Sequence, residues 1–405
     1  MSRIGRAAFP TMKFTVKHWA IVIIFLINAC HSAKDQESTS SGSEEVADLG
    51  RIDALPLHYQ SPEDNPATPE KIELGRLLFY DPVLSGPKDV ACATCHHPEF
   101  GYAESIDLSI GVNGQGLGEK RAFIEPNEVP FVKRNSQSLL NTAFNGIDMN
   151  GNYSPEKAPM FWDLRADNLE HQAMMPVKTM EEMRGVVYPE EHISAEIVSR
   201  LNRIPEYRKL FKNAFKDADA ITEANISKSL AAFQRSLIAN NSRFDQYMRG
   251  DKSALTDGEV RGMEIFIETG CARCHNGPML SDFKTHVLGV ADNEKRSESD
   301  SGYEKTYAFR TPSLRNLRFT RPYMHSGKIA NLESVMFFYE DLQGKELPNS
   351  HVSKHRLDPQ AKALKVEFKN ISSIIEFLNT LNDGKYDKKM PKSVPSGLPV
   401  GGRIQ

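Results

Sequence analysis

Two pentapeptides, Cys92-Ala93-Thr94-Cys95-His96 and Cys271-Ala272-Arg273-Cys274-His275, each set two thiols two residues apart and follow the second with an imidazole. At this spacing two cysteines add across the vinyl groups of a haem while the adjoining histidine reaches the iron from one face. The two runs predict two covalently held c-type haems, on Cys92, Cys95, Cys271 and Cys274, with His96 and His275 as axial ligands. Two haems imply electron transfer or redox chemistry. Paired Cys-x-x-Cys runs also build zinc sites, and one pair makes a dithiol redox centre. Neither explains a His directly after each second Cys. Of five cysteines, four lie in the two runs and the fifth is Cys30, so none is left for a structural disulfide.

The compartment agrees with this chemistry. Arg3, Arg6, Lys13 and Lys17 precede an apolar run from Trp19 to Ala29, with no acidic residue among them. The run is short for a membrane span and has the form of a signal peptide, residues 1–29. Leu26-Ile27-Asn28-Ala29-Cys30 resembles a lipobox, in which Cys30 carries the lipid. Asn28 is less usual there, and cleavage without lipidation is the alternative. Residues 30–54, rich in Ser, Glu and Asp, read as a flexible tether. The expected protein is exported, on the periplasmic side, and anchored to a membrane by its N-terminal lipid. Its formal charge of −3 becomes more negative once the four basic signal residues leave, which argues against a nucleic-acid partner.

The elements that must position the motifs are mostly helical. Ala220 to Arg249 carries Ile226, Leu230, Phe233 and Leu237 at helical spacing. Asp257 to Thr269, capped at Thr256 or Asp257 and stopped by Gly270, leads straight into the second motif. Leu332 to Tyr339 and Ile371 to Leu381 are further helices. Loops are long and rich in Gly, Pro and Asn, and strand signals are few. The expected fold is mainly α, with two cytochrome c-like haem domains, long loops and few short strands. The first domain spans residues 55–240, the second 241–385, and a tail 386–405.

Around the motifs stand Leu74 to Ser85, Arg134-Asn135 to Asn141, Phe161-Trp162-Asp163, Leu169 to Ala173 with Pro176, and Glu182-Met183. The second half adds Pro312 to Asn316 and Thr320-Arg321-Pro322-Tyr323-Met324-His325-Ser326-Gly327. Over residues 70–383 this order resembles the bacterial dihaem cytochrome c peroxidase family, which includes the MauG-type enzymes. The resemblance implies reduction of hydrogen peroxide to water at the first haem. The electrons would come through the second haem from an exported donor such as cytochrome c. A MauG-like oxidase, acting on a partner protein or small molecule through high-valent iron, is the alternative.

The resemblance also implies roles. Gln172 and Glu182 match the family's distal pair. A carboxyl over the iron can move the peroxide proton as general base and then acid, and an amide can hold the peroxide; otherwise Glu182 is an ordinary surface carboxylate. Trp162 matches a tryptophan between the haems, and its alternative is a core residue. Tyr339 stands fourteen residues after His325, where peroxidase members carry Met and MauG-type members Tyr. It is the expected sixth ligand of the second haem, with Met336, Met324 or an open site as alternatives. Asn135, Thr320 and Pro322 match oxygen ligands of a calcium ion. Arg315 is a haem-propionate partner or an ordinary ion pair. Thr269 stands where MauG-type enzymes carry a tryptophan toward their protein substrate, which weighs against that route.

No histidine occurs from Pro98 to Glu170, where many peroxidase members hold a histidine that closes the first haem. The oxidised protein is therefore expected to show a high-spin haem signal in electron paramagnetic resonance. It should also lack the sulfur-to-iron charge-transfer band that a Met ligand produces. A purely low-spin spectrum would refute the open first site, and the band would replace Tyr339 with a Met.

Overall fold

Thr68 opens the first helix. Its side chain accepts the main-chain hydrogen of Lys71 at 3.3 Å, and Pro69 occupies the first turn, where its missing N–H costs nothing. Helix α1 (Pro69–Tyr80) ends at Asp81 because Pro82 follows. The computed structural model describes residues 49–344 and 346–405, so the signal peptide, Cys30 and most of the tether lie outside the described residues. Three single-turn helices come next: α2 (Cys92–Cys95), α3 (Leu169–Gln172) and α4 (Met175–Lys178). They are followed by α5 (Glu190–Arg203), α6 (Pro205–Phe215), α7 (Glu223–Arg235) and α8 (Arg243–Met248). The second half holds α9 (Asp257–Glu268), α10 (Leu332–Glu340), α11 (Pro359–Lys362) and α12 (Ile371–Thr380). Strands are few: β1 (Gly114–Gln115) pairs antiparallel with β2 (Ala122–Phe123), and β3 (Thr285–Val287) with β4 (Ala308–Arg310). The expectation of a mainly helical chain with few short strands holds.

Two helix pairs form the frame. A Cβ on Gly75 of α1 would lie 2.0 Å from the Ser229 carbonyl oxygen of α7. A Cβ on Gly262 of α9 would lie 2.1 Å from the Ser373 carbonyl oxygen of α12. Only glycine lets the backbones meet this closely. Each haem motif follows, in the chain, the first helix of such a pair. The first apolar core gathers Leu74, Leu78, Ile197, Phe211, Leu230 and Phe233, and the second Phe244, Phe266, Ile374, Phe377 and Leu378.

Three sequence expectations change. The predicted helix from Ala220 to Arg249 is two helices. Asn141 takes up the backbone between them, donating to Ala239 O at 2.9 Å and accepting from Ala239 N at 2.7 Å. Ser242 and Asp245 then form a reciprocal cap that starts α8 anew. The end of the predicted tether is fixed: Ile52 is buried in the second core, and Arg51 O accepts from Gly277 N at 2.6 Å. Residues 386–405 are more than a tail. Tyr386 and Val394 join the first core, Thr94 Oγ1 donates to Gly401 O at 2.7 Å, and Arg76 pairs with Asp387 at 2.6 Å.

Another of these late contacts is Ser396, whose hydroxyl donates to the fully buried Asp81 carboxylate at 2.6 Å, beside the Tyr207 hydroxyl at 2.6 Å. Removing a donor to a buried charge costs about 2 kcal/mol. Ser396→Ala should lower the unfolding free energy by that amount, seen as a lower denaturant midpoint at an unchanged slope in chemical denaturation of the haem-loaded protein.

Candidate functional site

The two motifs adopt short turns of the same kind. The main-chain hydrogen of His96 goes to Cys92 O at 3.0 Å, and that of His275 to Cys271 O at 3.0 Å. In each, the ring Nδ1 faces a carbonyl further along: Tyr102 O at 3.0 Å for His96 and Leu280 O at 3.0 Å for His275. A carbonyl only accepts, so Nδ1 carries the proton and Nε2 keeps its lone pair for a metal. Burial lowers the pKa of both rings and keeps them neutral.

Both motifs open into one continuous cavity of about 650 Å³. Its wall includes all four cysteine thiols, none in a disulfide. Burial pushes the Cys92 thiol up to about 12 and the Cys271 thiol up to about 11. Two thiols, a free Nε2 and an apolar-walled space, twice over, suit covalent haem.

Glu182 lies in a five-residue π-helical segment, Met180–Arg184, a form common at functional sites. The segment presses against Gly111, where a Cβ would lie 2.3 Å from Glu182 O, and that carbonyl accepts from Val112 N at 3.1 Å. The side chain lines the cavity. Burial pushes its pKa up to about 7, against the pull of Arg165 and with the help of Glu181. Gln172, the last residue of α3, lines the same cavity, and its Oε1 is buried without a hydrogen-bond partner. An orphaned buried acceptor of this kind marks a place for a ligand donor.

On the other side, Met336 and Tyr339 sit on one face of α10 and line the cavity with Cys271 and Cys274. Burial, with Cys271 nearby, holds the Tyr339 phenol above its ordinary range. Trp162 is buried; its indole donates to Asn135 O at 3.0 Å, and its ring meets His325 edge to face at 6.4 Å. Asn135 N in turn donates to His325 O at 2.8 Å. Asn135, Thr320, Pro322 and Met324 also line the cavity.

Comparison with known proteins agrees with this geometry. A profile of the di-haem cytochrome c peroxidase family matches residues 69–253. The chain is 31% identical over 377 residues to the methylamine utilization protein MauG of Methylorubrum extorquens, covering 90% of this chain and 93% of the relative. It is 30% identical over 338 residues to the cytochrome c551 peroxidase of Nitrosomonas europaea, covering 82% and 85%. The chain belongs to the di-haem cytochrome c peroxidase family. A crystal structure of a MauG-like protein associated with microbial copper homeostasis superposes with a TM-score of 0.65 at 26% identity, over 81% of this chain and 95% of that one. Two c-type haems are the cofactors that membership implies.

Every site residue expected from the sequence within the described residues lines this cavity, Arg315 included, but the Arg315 guanidinium is already bonded within the protein. It pairs with the fully buried Asp245 at 2.9 Å and donates to Pro278 O at 2.6 Å and Asp53 O at 3.2 Å. Of its two expected roles, these contacts are those of the ion pair. The sequence reading missed Arg310. It ends β4, lines the cavity, donates to Phe161 O at 2.9 Å, and has its pKa lowered to about 10 by burial. A buried guanidinium held by a carbonyl suits a haem propionate better than one already paired with a carboxylate. The sequence reading also missed His286, opposite Phe309 across the β3–β4 pair. Its nitrogens meet Asp358 at 2.9 Å and Asp282 at 3.0 Å. Burial pulls its pKa down, but bonds from Asp282, Cys274 and Asp358 outweigh that and raise it to about 11.

The raised Glu182 pKa has a sign that can be checked. The unfolded chain releases this proton near 4.5 and the folded one near 7, so the group opposes folding increasingly as pH rises between those values. Glu182→Gln should match the wild type in thermal stability at pH 4 and exceed it above pH 7, by up to about 3 kcal/mol. An equal difference at both pH values would show that this carboxyl is not perturbed.

Proposed function

We propose that this protein is a dihaem c-type peroxidase that reduces hydrogen peroxide to water with electrons from an exported donor such as cytochrome c. The observation that carries the reading is Glu182, a carboxyl with a pKa of about 7 on the wall of a cavity lined by both haem motifs. Each peroxide takes two electrons and two protons and leaves as two waters. When bound, the haem held by Cys92, Cys95 and His96 supplies an iron for the peroxide. Glu182 accepts the proton of the inner oxygen and returns it to the outer one, so that water departs. The unpartnered Oε1 of Gln172 accepts a hydrogen bond from the peroxide and holds it in reach of that carboxyl.

Cys271, Cys274 and His275 would hold the second haem, with Tyr339 in preference to Met336 facing it from α10, and that group would supply the entry point for donor electrons. The buried ring of Trp162 stands on the wall between. Asn135 through its side-chain oxygen, and Thr320 and Pro322 through their carbonyls, are the calcium ligands, a hard-oxygen set suited to that ion. Residues 55–240 and 241–385 serve as the two cytochrome c-like haem domains. Cys30 carries a lipid on the periplasmic side.

A MauG-like oxidation of a partner protein is the second reading, favoured by Tyr339 on the cavity wall. Thr269 opposes it. This residue is buried, and its carbonyl accepts from Lys365 N at 2.9 Å, so it presents no aromatic ring to a partner.

Oxidised holoprotein mixed with peroxide and then with reduced cytochrome c should oxidise two cytochromes per peroxide within seconds. Glu182→Gln should keep both haems and lose about a hundredfold or more in kcat/KM for peroxide. A peroxide-treated enzyme inert to cytochrome c but able to oxidise a protein would overturn the first reading in favour of the second.

A further inference from the structure

Helix α10 has two faces. Leu332, Val335, Met336 and Tyr339 line the haem cavity, while Glu333, Phe337 and Glu340 are exposed. The spacing of each set is that of one helical stripe. At this point the wall between cavity and solvent is one helix thick, about 10 Å. Phe337 is 39% exposed, and beside it Phe368, at the start of the turn leading into α12, is 71% exposed. Their rings stack with centroids 6.1 Å apart at an interplanar angle of 13°. The segment that carries Phe368 rests on the second motif. Lys365 N donates to Thr269 O at 2.9 Å, Arg273 donates to Ala363 O at 3.4 Å, and Ala361 and Leu364 line the cavity.

A single exposed phenylalanine is ordinary on a protein surface. A stacked pair on the outer wall of a redox cavity is a preformed apolar contact, because the rings already share one orientation. The charges on these two segments are mixed in sign: Glu333, Glu340, Asp341 and Glu367 stand against Lys362, Lys365 and Lys369, all exposed. Glu367 and Lys369 already pair at 2.6 Å. Strongly charged partners gain nothing from such a rim, whereas an apolar face ringed by mixed charge fits it. The two rings offer roughly 200 Å² of apolar surface. A stable homodimer buries well over about 1,000 Å², while transient electron-transfer complexes lie at the small end of the range.

We propose that the Phe337–Phe368 pair is the centre of a docking surface for a small one-electron carrier protein of low net charge, whose own redox group lies behind an apolar patch. This deepens the peroxidase reading and rests on it. Each reduced carrier loses one electron across the α10 wall, and two carriers are oxidised for each peroxide that takes up two protons and becomes two waters.

The test uses the holoprotein and a reduced monohaem bacterial cytochrome c of near-zero net charge. Binding is titrated without peroxide, and turnover is measured with that cytochrome and with a small organic donor. Phe337→Ala/Phe368→Ala should raise Kd and KM for the cytochrome at least tenfold, leaving small-donor turnover and the haem spectrum unchanged. Phe368→Ala alone, at the more exposed position, should give part of the effect, and Phe368→Tyr should restore it. Wild-type affinity should change less than threefold between 20 and 200 mM salt. Unaltered binding in the double variant, or a wild-type affinity that collapses with salt, overturns the proposal. So does a patch-dependent self-association in sedimentation, or patch-dependent binding to phosphatidylcholine vesicles, which would assign the surface to a second copy or a membrane. A holoprotein inert toward peroxide with every donor would sink the peroxidase reading, while the peroxide-free titration would still decide the docking surface.

Discussion

Two helix pairs, each closed to backbone contact at one glycine, hold open a space that the protein's own side chains do not fill. Gly75 against the Ser229 carbonyl fixes one pair, and Gly262 against the Ser373 carbonyl the other. Protein interiors are packed with few voids larger than a water molecule. A cavity of about 650 Å³ lined by both Cys-x-x-Cys-His turns is therefore the shape of large bound groups. It also ties folding to cofactor attachment, because whatever fills the cavity stabilises the state that contains it. The main-chain carbonyls of Tyr102 and Leu280 complete the frame by fixing each imidazole so that only Nε2 is left to bind.

Within that space the polar groups divide into satisfied and stranded. Arg315 is satisfied by Asp245 and two carbonyls, and it knits the second core to the segment before α1. The Gln172 Oε1 atom is stranded, and Arg310 has its pKa lowered by burial while holding a carbonyl. Stranded polar groups in an interior cost stability unless something meets them. Their placement therefore points to what enters: a hydrogen-bond donor near Gln172 and an anionic group near Arg310.

The haem motifs were legible because their chemistry is local: five residues contain both thiols and the imidazole. The helix after Thr256 was legible for the same reason, since cap, periodicity and terminating Gly270 lie within one short stretch. The break between α7 and α8 was not, because the residue that takes up the backbone there, Asn141, is about a hundred positions away. Arg310 and Arg315 stand five residues apart with the same chemistry, and nothing nearby tells which one meets a buried aspartate. The packing of residues 386–405 on the first core depends on partners such as Asp81 and Thr94, which a local pattern does not reveal. Local chemistry was readable from the chain, and pairings across the fold were not.

The cavity groups displaced from their ordinary pKa values separate proton handling from electron handling. His286, held between Asp282 and Asp358, has its pKa raised, away from neutrality. His325, pushed down to about 4 by burial, stays neutral. Arg310 at about 10 stays cationic. Glu182 alone among these sits near 7, where a group can both take and return a proton within one turnover. It sits on the π-helical segment gripped by Gly111 and shares the cavity wall with Gln172. The wall beside the second motif instead carries Tyr339, Met336 and, one helix thickness outward, Phe337. On the cavity wall, proton exchange near neutrality thus falls to Glu182, while the buried Glu104 beside Cys95, also raised to about 7, is off that wall, and aromatic and thioether groups line the second side. That asymmetry fits two chemically identical attachment motifs for unequal tasks.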